Sequence, residues 1–79
     1  MNITSVNIGS FFIIDRNAFG VIQSVAPSSA DEYPVRVRVW WHQITVLRNY
    51  TRTGRLWTSH ENPHDIKKIF PIKLKFKVY

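Results

Sequence analysis

Five consecutive residues, His60-Glu61-Asn62-Pro63-His64, spell H-E-x-x-H. In that pattern two histidines one helical turn apart hold zinc, and the glutamate activates the metal-bound water. The chemistry requires a helix. Pro63 removes a backbone donor inside the required turn and its ring clashes with the turn before it. The segment therefore reads as a polar loop, and no metal site is expected there. No glycine-rich phosphate loop, nucleophile elbow or clustered carboxylate pair occurs elsewhere. Asp15, Asp31, Glu32, Glu61 and Asp65 fall in turn-like and loop-like stretches, as caps and solubilising charges. Neither enzymatic activity nor a cofactor is expected.

A second set of side chains points to binding. Arg36, Arg38, Trp40, Arg48, Tyr50, Arg52, Arg55 and Trp57 lie on or between neighbouring strand-like stretches. On one outer face their guanidinium groups could grip phosphates while the rings offer stacking surfaces. Lys67 and Lys68 extend the same basic footprint. The rings have a competing use, because a small core without cysteine must bury at least one of Trp40, Trp41 and Trp57. Arginines are harder to bury, so the outward placement of Arg36 and Arg38 is the firmer expectation. Lys73, Lys75 and Lys77 alternate along the C-terminal stretch. They suit either a ligand or defence of an edge strand against aggregation.

The charge balance favours an anionic partner. Eleven Lys and Arg against five Asp and Glu give a formal charge of +6. Five arginines and no acid lie between Tyr33 and His60, and five lysines and no acid follow Ile66. Such asymmetry suggests a basic face, although a net charge of this size also serves solubility. Seventy-nine residues allow a single domain over 1–79 with a modest core, which the three Trp, three Tyr and five Phe must supply. The longest apolar run, Phe11–Ile14, is too short to span a bilayer. No secretory leader is evident, so a soluble cytoplasmic protein is expected.

Positioning these residues falls to short strands. In Val35-Arg36-Val37-Arg38-Val39-Trp40-Trp41 valine alternates with arginine, the period of a strand with one buried and one wet face. Val35, Val37, Val39 and Trp41 should point into a core, and Arg36, Arg38 and Trp40 away from it. Further strands are expected over 10–14, 21–26, 44–50, 56–58 and 72–78, with one helical turn over 65–69. Residues 1–9 either add a short strand or form a loose N-terminal arm. Phe11 and Phe12 cannot both face inward, and Val21 and Val25 are expected on one face. Val46 and Leu47 are adjacent apolar residues, which a bulge would reconcile. Arg52-Thr53-Gly54-Arg55 reads as a hairpin tip with Gly54 at positive φ.

The expected fold is all-β: a small SH3-like barrel or strongly curled antiparallel sheet of five to six strands. The order Phe19-Gly20-Val21, Val35 to Trp40, Tyr50 with Gly54, and Asp65-Ile66 before a final strand resembles an SH3-like barrel, as in tudor-like modules and small phage-encoded proteins. In that pattern a Gly-Val pair opens the second strand, a valine-rich strand ends in Trp, and Asp-Ile leads into the last strand. The resemblance covers roughly residues 10–70. The stretch between Trp41 and Tyr50 and the extra C-terminal strand depart from its simplest form. It implies a binding module whose ligands range from peptides to nucleic acids. The leading expectation is nucleic acid; the alternative is an inhibitor or adaptor, phage-encoded, that docks an acidic host protein.

Overall fold

Strict alternation of valine with arginine produces a strand flanked on both sides in the sheet. In the computed structural model, which describes residues 2–15, 18–27 and 30–70, five strands form one antiparallel sheet. They are β1 (Phe11–Asp15), β2 (Ala18–Val25), β3 (Val35–Trp41), β4 (Ile44–Tyr50) and β5 (Lys68–Phe70), in the order β4-β3-β2-β1-β5. Each neighbouring pair is antiparallel. Among the described residues β4 and β5 do not pair, so the sheet is curled rather than closed into a barrel. Register shifts between Ile13 and Asp15 and between Ile22 and Ser24 supply local bends.

The inner face is the core. Val35, Val37 and Val39 join Phe12, Ile14, Ala18, Ile22, Tyr50, Ile3 and Ile66 in one buried cluster. The adjacent phenylalanines divide as a strand demands, Phe12 inward and Phe11 outward. Gly20 is required by space rather than by φ: a Cβ there would lie 2.5 Å from both the Arg38 carbonyl oxygen and the Phe12 ring.

Residues before β1 and after β4 cover this face. The first residues form no loose arm: Ile3 is fully buried and donates its N–H to the Arg52 carbonyl at 2.6 Å. A short 3-10 helix, Ser5–Asn7, follows, with Asn7 Oδ1 accepting the Thr4 N–H at 2.9 Å. Beyond β4 the chain makes a tight turn, with Gly54 at φ 82 and its N–H given to Thr51. The expected return strand over 56–58 does not form, and 51–67 runs as an irregular cover. Backbone and side chain fasten it together: Asp65 accepts the N–H groups of Leu56 at 2.7 Å and Asn62 at 3.0 Å. Nor is there a helical turn over 65–69, because Lys67 donates to Ile13 and Lys68 enters β5. The strand expected over 72–78 lies outside the described residues.

Two parity expectations are corrected. β3 and β4 pair without a shift from Val35–Tyr50 to Trp41–Ile44, so there is no bulge at Val46 and Leu47. Leu47 simply faces outward. Val21 and Val25 do not share a face, because the irregularity between Ile22 and Ser24 separates them: Val21 pairs with Arg38 on the outer side and Val25 with Val35 on the inner.

Candidate functional site

The outer face of the sheet carries two cross-strand rows of side chains. One runs Phe70, Phe11, Val21, Arg38, Leu47, each paired with the next. The other runs Lys68, Ile13, Phe19, Trp40, Thr45. Outward apolar groups are unusually frequent here. Phe11 is 49% exposed, Phe19 50%, Phe70 43% and Leu47 58%. Phe19 and Trp40 stack at 5.5 Å and 21°, each ring turning one face to the other. Lys68 holds its ammonium 5.1 Å from the Phe70 ring centre, a cation–π contact at one edge. Arg36 and Arg38 stand exposed on β3, two residues apart and therefore on the same side.

A third, polar row, Ser24–Arg36–Asn49, borders the row that holds Arg38. It opens into a cleft of about 420 Å³ whose other walls include Pro27, Asp31 and Tyr33. Asp31 accepts the Tyr33 N–H at 3.0 Å, which fixes the loop that forms this wall. Thr58 donates its N–H to the Tyr33 hydroxyl at 3.4 Å from the far side.

Of the basic and aromatic residues expected together, Arg36, Arg38, Trp40 and Lys68 meet on this face. Arg48 and Tyr50 belong to the opposite one, because Arg48 pairs with Val37 and Tyr50 with Val35 on the inner side of β3. Tyr50 is wholly buried and offers no stacking surface. Its hydroxyl donates to the His64 carbonyl at 2.6 Å, pinning the cover to the sheet. Burial pushes the Tyr50 phenol above its ordinary value of 10.0, against the opposing hydrogen bond and positive charge of Arg48. Arg48 itself has a buried Nη1 with no hydrogen-bond partner.

Arg52 is occupied elsewhere: its Nη2 donates to the Ala26 carbonyl at 2.7 Å, tying the cover to the end of β2. Arg55 and Trp57 also lie in the cover, outside the sheet. The Arg55 Nε is buried without a partner, and Trp57 packs its exposed ring against His60 at 4.8 Å. Lys67 is exposed next to β5, where its N–H reaches Ile13 rather than a strand face.

The H-E-x-x-H residues are irregular in conformation. His60 contacts Ser59 and Trp57, whereas His64 packs edge-on against Trp41 at 5.3 Å. Among the described residues no group of three or more His, Cys, Asp or Glu is arranged to hold a metal ion. No described helix is long and apolar enough to cross a membrane.

The rings of Phe11, Phe19 and Phe70 are the functional candidates that sequence reasoning misses. Their signal is the period-two pattern around Phe12, which assigns Phe11 and Ile13 outward once Phe12 is taken as core. Comparison with protein-family models, with curated proteins and with solved structures finds no match for this chain.

Proposed function

We propose that this chain is a non-enzymatic binding module that docks single-stranded nucleic acid across the outer face of its sheet. The observation that carries the reading is the pair of cross-strand rows that set the rings of Phe11, Phe70, Phe19 and Trp40 on the same face as Arg38 and Lys68, with Arg36 on the adjoining row. Rings on an open sheet offer π-faces to unpaired bases, while neighbouring cations meet the phosphates. A duplex hides its base faces inside the stack and would leave Phe11, Phe19 and Phe70 in water. The formal charge of +6 supports an anionic ligand.

Magnitudes follow from the count of contacts. Arg38 and Lys68 together meet about two phosphates, each contributing roughly −0.7 to the salt slope for a single strand. Raising salt from about 50 to about 200 mM should therefore weaken binding roughly sevenfold. Each stacked base contributes about 1–3 kcal/mol, so Phe19→Ala should cost about tenfold or more in affinity, with a stability cost of about 1 kcal/mol from loss of the stack on Trp40. Titration of a labelled single strand and a labelled duplex at three salt concentrations tests this. Absence of binding to either at the lowest salt would overturn the reading.

A second reading, an inhibitor or adaptor docking an acidic host protein, draws on the exposed aliphatic side chains of Ile13 and Leu47 on the outer face. Aliphatic side chains stack poorly on bases but fill a protein interface well, and exposed apolar patches of this kind mark such interfaces. That reading predicts a nuclease-resistant complex with one acidic protein, strongly weakened by Leu47→Ala, which leaves the charge of Arg38 untouched. Single-strand binding unchanged by Leu47→Ala would instead favour nucleic acid.

A further inference from the structure

Resting on the nucleic-acid reading, we infer that the cleft at the Arg36 end of the outer face seats one base and selects guanine. The cleft is the natural terminus of the binding face, because the Ser24–Arg36–Asn49 row is both its floor and the next row after the apolar two. Tyr33 and Pro27 give it flat apolar walls against which a base can lie.

Its polar groups decide which base. Asp31 spends one oxygen on the Tyr33 N–H at 3.0 Å. An ionised carboxylate has about four acceptor sites, so capacity remains for a ligand. Guanine alone among the bases presents two adjacent donors, N1–H and the N2 amino group, that a carboxylate can take together. Its other edge offers O6 and N7, the acceptor pair that a guanidinium recognises in bidentate fashion. Asp31 and Arg36 stand in one cleft and satisfy the two edges of that one base. Adenine would set its N1 lone pair against the carboxylate, and uracil and cytosine each place an acceptor beside their single donor site. Asp31 is exposed in the free protein; a base that covers its carboxylate without pairing it leaves that group unsatisfied, which discriminates against such ligands.

The test uses the full chain and two probes. Short oligouridylate strands carrying a single central guanine, adenine or inosine are titrated by fluorescence anisotropy. Guanosine and adenosine monophosphates are titrated separately by amide NMR. The guanine strand should bind about tenfold tighter than the adenine strand, and inosine, which lacks the N2 amino group, should lose most of that advantage. Asp31→Asn keeps an oxygen for the Tyr33 N–H and adds no repulsion towards phosphate, so the fold and general attraction survive. In this variant the guanine and adenine strands should bind within twofold of each other.

Guanosine monophosphate should shift the Tyr33, Arg36 and Asn49 amides more than adenosine monophosphate does. Equal affinity for all three strands, with no selective shift by either nucleotide, would overturn the cleft inference and leave the face reading standing. Selective guanosine monophosphate shifts without any strand binding would uphold the cleft as a guanine-nucleotide site and overturn the face reading.

Discussion

At the scale of single residues, the decisive question is which side of a strand a side chain occupies. Val37 and Arg36 differ by one position, yet Val37 is fully buried and Arg36 exposed. Val37→Asp should abolish cooperative folding, because it places an unpaired carboxylate in the core. Arg36→Ala should shift stability by no more than about 0.5 kcal/mol. Thermal melts followed by circular dichroism check both. Tyr50 carries a pH-dependent share of stability. Its folded phenol titrates above the ordinary 10.0, so the contribution is complete below that pH and disappears as pH rises through the folded value. Tyr50→Phe should cost about 1 kcal/mol at neutral pH by removing the bond to the His64 carbonyl. It should also flatten the fall in stability above pH 10 relative to the parent, which urea denaturation at stepped alkaline pH will show.

Individual strands were legible to different degrees for physical reasons. β3 announces itself, since each valine is core and each arginine cannot be. β4 does not: Val46 and Leu47 are both apolar, and without tertiary context either could face inward. Choosing wrongly exchanges the rows Thr45-Leu47-Asn49 and Val46-Arg48-Tyr50, which is how Arg48 and Tyr50 come to be expected beside Arg36. The cover over 51–67 is opaque to periodicity altogether, because Asp65 and backbone donors shape it rather than an apolar repeat. β2 begins three residues earlier than the expected Val21, at Ala18, since Ala18 and Gly20 are poor strand signals that pairing with β1 and β3 overrides. Gly20→Ala tests that packing. With a main-chain oxygen 2.5 Å from the new Cβ, relief requires β2 and β3 to separate. The expected cost is about 3 kcal/mol, the upper end for overpacking, measured by chemical denaturation.

Across the whole molecule, the all-β class and the basic outer face of β3 are evident from sequence, whereas the aromatic breadth of that face emerges only when five strands are laid side by side. Pairing brings Phe70 and Phe11 next to Val21 and Arg38, residues remote in the chain, and no local window can display that row. The same pairing has a kinetic corollary. β3 and β4 join through only two residues, so this hairpin can assemble early with little loss of chain entropy, and β2 adds to it across the connection 26–34. β5 has three residues, a single partner and a docking site at β1 more than fifty positions upstream. It should be the last strand to zip and the first to unzip. Native-state hydrogen exchange should show the β5 amide bonded to β1 opening well below the global unfolding free energy, while amides between β2 and β3 exchange only through complete unfolding. Uniform protection across all five strands would contradict this order. Each such opening bares the backbone of β1 as an unclaimed template, so the protein's brief partial unravelling, rather than its folded surface, is where strand exchange between two copies would begin.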